Sequence, residues 1–168
     1  MKKTVLVLGK GGFGQQLAEL LQSCGAAGGV LFLDDNAPGC AGKLRDFYDP
    51  ALRQRCAAAY VGLGNNALRV ELLANLAAVG YPTPAFCHPR AWVSPSAQLG
   101  PGTLVLPMAS VGANTRTGPG CILNVGSILD HDAALGQGVH LAPGAIVKAG
   151  GQVEDFAKVE AGQGIRSP

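Results

Sequence analysis

An aliphatic residue recurs at every sixth position along the second half of the chain. The series begins at Val93, is interrupted only by Thr117, and continues to Ile165. Neither the 3.6-residue period of a helix nor the two-residue period of a strand produces this spacing. A six-residue repeat instead predicts a parallel β-helix, in which three flat sides close one triangular coil every eighteen residues.

Two further positions of the repeat support this interpretation. A small or slim residue follows each aliphatic residue after four positions, where a corner leaves little room inside the coil. Glycine is common directly after the aliphatic residue, and we expect it to form tight corners that need a positive φ angle. Coils of this kind bury their apolar sides only against their neighbours, so stability accumulates along the stack. The glycines concerned are Gly100, Gly112, Gly118 and Gly136.

Residues 1–88 show a different pattern, in which short apolar runs alternate with segments of helical spacing. This alternation predicts a small parallel sheet with helices on its faces, a Rossmann-like α/β arrangement. We place the boundary at His88-Pro89, so that residues 89–168 form the β-helix domain. The predicted strands are Thr4–Leu8, Val30–Leu33, Ala57–Leu63 and Thr83–Cys87, and the predicted helices are Gln15–Cys24 and Ala67–Val79, with a helical turn at 50–55.

A glycine-rich loop joins the first predicted strand to the first predicted helix. Gly9, Gly11 and Gly14 fit the G-x-G-x-x-G pattern, and Asp34 follows twenty residues later. Backbone N–H groups at such a helix start can bind phosphate, which favours a phosphate-bearing ligand such as a nucleotide joined to a sugar. Two alternatives remain: glycines that serve only a tight turn, and a nicotinamide-dependent oxidoreductase. Against the oxidoreductase, about 85 residues supply only one mononucleotide-binding half of a dinucleotide site and part of another.

Asp130-His131-Asp132 interrupts the apolar rhythm of the repeat. A histidine beside a carboxylate suits general-base chemistry, because the carboxylate fixes the tautomer of the imidazole and raises its basicity. The alternative is a solvated pair at a corner. His140 lies nine residues, or half a coil, beyond His131, so the two cannot readily share a face in one subunit. In a homotrimer of parallel prisms, His140 of one subunit could approach His131 of the next.

Composition excludes several classes of function. The net charge of +2 with 14% charged residues gives no basic stripe for nucleic acid. No stretch approaches the roughly 20 apolar residues of a membrane span, and the short apolar run near the start lacks a cleavage site. The five cysteines show no CxxC spacing, so we expect free thiols in the cytoplasm and no metal site.

Several motifs in a fixed order resemble the sugar O- and N-acyltransferases of the NeuD/PglD kind. These are left-handed β-helix enzymes with a small Rossmann-like amino-terminal domain, and the resemblance covers nearly all of the chain. The motifs are Val7 to Gly14, Phe32-Leu33-Asp34-Asp35, Gly62 to Arg69, His88-Pro89 with Val93 to Ala97, and Leu123-Asn124 through Asp130-His131-Asp132 to His140.

The resemblance implies transfer of an acetyl group from acetyl-CoA to an amino or hydroxyl group of a sugar, often nucleotide-linked. A UDP-sugar is the expected substrate, in surface-glycan or glycoprotein biosynthesis. His131 matches the general base of the family, and Asp132 matches the acidic residue that raises its proton affinity. Asn124 and His140 match positions near the thioester, and Ala161 matches a donor-site position.

The nucleotide part of the substrate is implied to lie in the amino-terminal domain. Phe13 stands where many relatives have histidine, and Asp132 replaces a glutamate of some members. The chain ends at Pro168, whereas relatives continue for one or more coils, which favours an alternative reading. That alternative is a degenerate homologue or a sugar-nucleotide-binding module without a complete CoA site. The positions of this chain that match the family's residues for the nucleotide part of the substrate are Gly11, Gly12, Phe13, Asp34, Asp35 and Gly64.

Overall fold

The first apolar run, Thr4–Leu8, is a strand (β1) at the centre of a three-stranded parallel sheet in the computed structural model, which describes residues 3–165. Strands β2 (Gly29–Leu33) and β3 (Ala59–Val61) pair with its two edges in the order β2-β1-β3. The side chains from Val5 to Leu8 are at most 3% exposed. Full burial of the central strand explains why its sequence is continuously apolar rather than alternating.

The helices of this unit follow the predicted order. Helix α1 spans Gly12–Ser23, α2 spans Pro50–Arg55, and α3 spans Asn66–Ala78. A 3-10 helix at Leu44–Tyr48 lies in a segment for which the sequence predicted only a loop. None of the helices within residues 3–165 is long and apolar enough to cross a membrane.

The repeat region forms a left-handed parallel β-helix with strands of two residues each, which confirms the predicted fold class. Strands on one face pair in parallel with strands eighteen residues away, as Ile128 does with Ile146. The first face comprises Trp92–Val93, Ser110–Val111, Ile128–Leu129, Ile146–Val147 and Gly164–Ile165; the second comprises Arg116–Thr117, Ala134–Leu135 and Gln152–Val153; the third comprises Phe86–Cys87, Leu104–Val105, Ile122–Leu123, His140–Leu141 and Lys158–Val159.

The sixth-position aliphatic residues point inward and form one continuous core. Most of these side chains are buried, and the small corner residues from Thr103 to Ala145 pack beside them. The exception in the aliphatic series, Thr117, is also satisfied inside the coil. Its Oγ1 lies 3.0 Å from Oγ1 of Thr103 and accepts a hydrogen bond of 3.0 Å from the backbone N of Gly100. The polar interruption therefore places no unpaired hydroxyl of Thr117 in the core.

The reason predicted for the repeated glycines is wrong. Gly100, Gly112, Gly118 and Gly136 have no positive φ angle. They are glycines because the next coil passes too close for a side chain. A Cβ on Gly118 would lie only 2.6 Å from the backbone N of Gln137. Close approach of two backbones, rather than the shape of the corner, requires the missing side chain at these positions.

Positive φ angles occur two residues after this glycine position in each hexad, from Gly102 through Gly162. Every sixth residue in this range adopts the left-handed conformation that turns the chain at a corner. Residues other than glycine adopt it at a cost, with asparagine and aspartate the most tolerant. The four non-glycine examples are Met108, Asn114, Asp132 and Phe156, with φ angles between 58° and 63°.

The last predicted strand of the amino-terminal domain belongs instead to the β-helix. Only Phe86–Cys87 of the predicted Thr83–Cys87 is a strand, and it pairs in parallel with Leu104–Val105 on the third face. The chain divides into two compact units, Met1–Pro84 and Ala85–Pro168. Pairing with a strand eighteen residues later, rather than with the amino-terminal sheet, assigns this segment to the second unit.

Replacing a glycine that faces the next coil should destabilise the β-helix. We expect Gly118→Ala to lower the free energy of unfolding by about 1–3 kcal/mol, because the new Cβ forces neighbouring backbone apart. Gly144→Asn is the matched control, since a Cβ there meets nothing within 4 Å and its φ of 69° suits asparagine. Urea unfolding followed by circular dichroism measures both. Equal stability of the two variants would contradict the close-approach explanation.

Candidate active site

The loop after β1 leaves the start of α1 open. Gly9 turns the chain with a φ of 92°, and Gly11 precedes the helix without a side-chain capping bond. A Cβ on Gly11 or on Gly12 would meet nothing within 4 Å. Because the first amides of a helix lack partners within the helix, such an opening suits an anionic group. Phe13 follows in the first turn and is half-buried.

The third glycine of the motif has a packing role. A Cβ on Gly14 would lie 2.0 Å from the carbonyl oxygen of Gly9, and one on Gly62 would lie 2.6 Å from Cα of Gly14. These three glycines let α1 approach the loop and the end of β3 directly. Gly9, Gly14 and Gly62 therefore shape the loop, whereas Gly11 and Gly12 face open space.

The Asp34 carboxylate ties the glycine loop to the end of β2. One oxygen accepts a hydrogen bond of 2.7 Å from the backbone N of Lys10, and the other accepts bonds from the backbone N of Asn36 at 2.9 Å and of Ala37 at 2.8 Å. These donors, Lys10 first, hold the pKa of Asp34 below its ordinary value. The side chain thus positions the loop, and direct contact of Asp34 with a ligand stays a prediction.

Asp35 and Gly64 lie beside the same carboxyl edge of the sheet. One carboxylate oxygen of Asp35 accepts a hydrogen bond of 3.0 Å from the backbone N of Leu44. A cleft of about 590 Å³ runs from Asp35 and Lys43 to Leu72 on α3. Gly64 is exposed, and a Cβ there would meet nothing within 4 Å. The structure therefore gathers the predicted nucleotide positions at the ends of β1, β2 and β3.

A buried arginine that the sequence analysis assigned no role stabilises the loop around Gly64. Arg69 is fully buried, and its guanidinium donates hydrogen bonds of 2.8 Å to the carbonyl of Leu63 and to Oδ1 of Asn66. The side chain of Asn65 caps α3 by accepting from the backbone N of Leu68. A lone charged residue on the otherwise buried side of a predicted helix is the signal that could have identified Arg69.

His131 and Asp132 form a pair at the corner between the first and second faces. Nδ1 of His131 lies 2.7 Å from Oδ2 of Asp132, and the two side chains are 60% and 56% exposed. The hydrogen bond to Asp132 is the main cause that raises the pKa of His131, and the negative charge of Asp130 is the next. The same hydrogen bond lowers the pKa of Asp132. With the Nδ1 proton directed at Asp132, Nε2 has the lone pair of a base.

Neighbouring coils fix the backbone of His131. A Cβ on Gly112, one coil below, would lie 2.5 Å from the backbone N of His131. One coil above, the backbone N of Gly150 donates a hydrogen bond of 3.0 Å to the carbonyl of His131. Oδ1 of Asp130 accepts a hydrogen bond of 2.8 Å from the backbone N of His131. The backbone at this exposed corner is therefore held from three directions.

Asn114 is a second residue that the sequence analysis missed. It lies one coil below Asp132, and its Nδ2 donates a hydrogen bond of 3.1 Å to Oδ1 of Asp132. No local motif marks this residue. The signal available in the sequence was its separation of eighteen residues from Asp132, which places both at one corner of successive coils.

Asn124 and His140 form a separate pair. Nδ2 of Asn124 lies 3.1 Å from Nε2 of His140, and Oδ1 of Asn124 accepts from the backbone N of Val125 at 2.8 Å. The bond from Val125 fixes which end of the amide is the oxygen, so the group that faces His140 is the donor Nδ2. Nε2 of His140 therefore accepts this hydrogen bond, and His140 is the neutral tautomer with hydrogen on Nδ1. Ala161 is exposed at the same corner, two coils beyond Val125.

Within one chain, the two histidine pairs lie at different places on the prism. His131 follows Ile128–Leu129 of the first face, whereas His140 is part of a strand on the third face. His88 accepts a hydrogen bond of 3.1 Å from the backbone N of Arg90 through its Nδ1. Within residues 3–165, no group of three or more His, Cys, Asp or Glu side chains is arranged to hold a metal ion.

Residues 4–76 match the PglD N-terminal domain family. The matched residues lie within the amino-terminal unit. The open helix start and the carboxyl-edge cleft described above lie in the part of this unit that is similar to the family. Its sheet, glycine loop and α3 up to Leu76 all lie within the matched residues.

Solved structures extend the similarity to the β-helix. The acetyltransferase domain of PglB from Neisseria gonorrhoeae is 28% identical, with a TM-score of 0.79 over 95% of this chain and 92% of that chain. The same domain with acetyl coenzyme A gives 28% identity and a TM-score of 0.78 over 99% and 94%. A variant perosamine N-acetyltransferase from Caulobacter crescentus, in complex with CoA and GDP-perosamine, is 27% identical. Its TM-score is 0.85, over 92% of this chain and 76% of that chain. These matches confirm the resemblance to the NeuD/PglD kind of acyltransferase.

The position of Asp34 generates a prediction about acid stability. Its folded-state pKa is lowered, so its contribution is present above the ordinary carboxyl pKa and is lost as the pH falls through the folded value. We expect Asp34→Asn to be less stable than the unmodified chain at pH 7 and to lose less stability on acidification below about pH 4. Urea midpoints across this pH range measure the effect.

Asp35→Asn is the matched control for this experiment, because Asp35 is the neighbouring carboxylate and accepts from one backbone amide only among its described contacts. It should follow the acid profile of the unmodified chain more closely than Asp34→Asn does. If Asp34→Asn unfolds at the same urea concentration as the unmodified chain at every pH, the loop-tying role of Asp34 is wrong.

Proposed function

We propose that this chain transfers an acetyl group from acetyl-CoA to an amino or hydroxyl group of a nucleotide-linked sugar, with His131 as general base. The observation that carries the proposal is the His131–Asp132 pair, joined at 2.7 Å on an exposed corner of the β-helix. Similar chains support it, since one was solved with acetyl coenzyme A and another with CoA and GDP-perosamine.

His131 serves the reaction by moving one proton. Its Nε2 accepts the proton of the attacking amino or hydroxyl group as the new bond to the acyl carbon forms. Asp132 accepts from Nδ1 and stabilises the imidazolium, so the charge that develops on His131 has a partner 2.7 Å away. The same proton leaves with the thiol when the carbon–sulfur bond breaks, which returns His131 to its neutral form.

Asn124, His140 and Ala161 form the proposed acyl-donor region. Acetyl-CoA, when bound, supplies an activated thioester and a chain of amide groups. The residues present fit such a donor, because the Asn124–His140 pair is neutral and polar and sits at the corner where Ala161 is exposed two coils further on. Because the Asn124 amide donates to Nε2 of His140, that lone pair is already engaged and does not compete for the proton that His131 must take.

The amino-terminal unit is the proposed binding site for the nucleotide part of the sugar substrate. The open start of α1 at Gly11, Gly12 and Phe13 suits a diphosphate, and the cleft beside Asp35 borders the same carboxyl edge. We retain a UDP-sugar as the proposed substrate and include a GDP-linked sugar in the test. Gly64, exposed with open space above it, leaves room for close backbone approach to the ligand.

We also propose a homotrimer that packs through the first face. Its outward residues Trp92, Ile128 and Ile146 are 57%, 38% and 36% exposed and are aligned by the strand register, with Ser110 between the first two. An apolar strip of this kind is typical of a surface that another chain covers. Packing there would bring a partner subunit to the edge at which His131 lies.

We propose that the chain acts in the biosynthesis of surface glycans or glycoproteins and that it does so in the cytoplasm. The five cysteines, all within residues 3–165, are free thiols, which suits a reducing compartment. The sugar produced would carry one new amide or ester. Its further use would be transfer of the sugar by an enzyme that accepts nucleotide-linked donors.

His131→Ala tests the proposed chemistry. We expect kcat for acetyl transfer to fall by roughly 10²–10⁴-fold, because that is what a positioned general base contributes. Release of free thiol from acetyl-CoA, measured with UDP- and GDP-linked amino sugars, gives the rate. In the unmodified chain, kcat/KM should rise with pH as His131 loses its proton, with a midpoint above about 6.5 because the pKa of His131 is raised.

His88→Ala is the matched control, since the chain has three histidines and His88 lies outside both pairs. It should retain full turnover. Unchanged turnover in His131→Ala would remove the proposed base. Isothermal titration with acetyl-CoA separates lost chemistry from lost binding, and absence of binding to the unmodified chain would favour the sugar-nucleotide-binding module over the enzyme.

The trimer predicts a mass of about 51 kDa in solution, three chains of 17.0 kDa each. Ile128→Glu should shift the sedimenting species toward the monomer, because a carboxylate would be buried in an apolar contact. Gln152→Glu places the same charge on the polar second face and should leave the trimer intact. A monomeric mass for the unmodified chain would contradict the proposed assembly.

A further inference from the structure

One corner of the β-helix carries polar side chains in three successive coils. Ser96, Asn114 and Asp132 are spaced by eighteen residues and lie between the first and second faces. The Ser96 hydroxyl accepts a hydrogen bond of 3.0 Å from the backbone N of Asn114, and it also lies 3.1 Å from Oγ of Ser94. We call Ser96, Asn114 and Asp132 the corner column.

The backbone of Asn114 and Asp132 in the corner column is unusual within the repeat. Among the described residues, seven glycines and four other residues occupy the left-handed corner position, and Asn114 and Asp132 are two of those four. They are stacked directly on each other, and the backbone N of Asp132 donates to the carbonyl of Ala113 at 2.8 Å. Glycine would turn this corner at lower cost, whereas Asn114 and Asp132 bring side chains that hydrogen-bond to each other.

The contribution visible in the structure is orientation of a carboxylate. Asp132 is 56% exposed on its side chain and would otherwise rotate in water. Its Oδ1 accepts from Nδ2 of Asn114 at 3.1 Å, and its Oδ2 lies 2.7 Å from Nδ1 of His131. The two oxygens have separate partners, so holding Oδ1 in place also fixes the direction in which Oδ2 points.

We propose that Asn114 is a positioning residue for His131, because its amide holds the Asp132 carboxylate in the orientation that keeps hydrogen on Nδ1 and leaves Nε2 as the base. This inference rests on the proposed function for its catalytic consequence, although the orientation itself can be measured without substrate. Asn114 acts through Asp132 and does not touch the reacting atoms. The coil that contains Asn114 thereby determines which ring nitrogen of His131, in the next coil, carries the hydrogen.

The test uses Asn114→Gly in the chain of 168 residues, since glycine accepts the φ of 58° and the change removes the amide. Nitrogen-15 NMR of the imidazole reports both the tautomer and the titration midpoint of His131. We expect the population with hydrogen on Nδ1 to fall and the midpoint to move down toward about 6.5. We expect kcat to fall roughly three- to tenfold with KM unchanged, a part of what a general base supplies.

Phe156→Gly is the matched control, because it also introduces glycine at a left-handed corner position, with a φ of 61°, at the corner between the second and third faces. It should leave the His131 titration and kcat unchanged. Asn114→Asp keeps the size of the side chain but replaces the donor with a carboxylate that repels Asp132. It should lower kcat at least as much as Asn114→Gly.

Two results would overturn the proposal. One is a His131 tautomer and titration in Asn114→Gly that match those of the unmodified chain. The other is full kcat in Asn114→Asp. The NMR measurement needs neither sugar nor acetyl-CoA, so it tests the positioning role even if His131→Ala retains turnover and the proposed function fails.

Discussion

The eighteen-residue register between coils is the constraint on which the second unit depends. Parallel pairing sets Ile128 beside Ile146 and Leu129 beside Val147, and equivalent pairs connect the strands of all three faces. Strands of two residues have little stability alone, so each persists because the coils above and below hydrogen-bond to it. A slip of one residue would turn the aliphatic side chains outward, and the buried core strongly disfavours that state.

The same register positions the residues of the proposed active site. His131 owes its backbone position to Gly112 below and Gly150 above, and its carboxylate partner is held by Asn114. An exposed corner would ordinarily be the most mobile part of a coil. Here, support from neighbouring coils allows a polar, solvent-accessible pair to keep one geometry, which the proposed general base requires.

The sequence predicted the fold well because periodicity reports burial directly. The aliphatic series and the alternating elements of the first unit both reflect which residues face a core. The cause of the glycines was misjudged, since the sequence pattern alone does not show whether Gly118 turns the chain or makes room for the next coil. Phe86–Cys87 was assigned to the wrong sheet because a two-residue strand has no periodicity of its own.

For the site, local motifs were sufficient to nominate residues but not to define their contacts. Asp130-His131-Asp132 is contiguous, so the pair could be predicted from the sequence alone. The hydrogen bonds of Asp34 to three backbone amides depend on the path of the following loop, which no motif encodes. Asn114 and Arg69 were missed because their partners are set by coil stacking and by burial.

The stacking of Ser96, Asn114 and Asp132 also limits how the length of this chain can change. Adding a single hexad between residues 114 and 132 would rotate everything beyond it by one side of the triangle and carry His131 away from its support. An added segment that loops outward at a corner, or one that completes a whole coil elsewhere, would leave the alignment intact. Natural variants of this unit should therefore differ in length by whole coils or by outward loops.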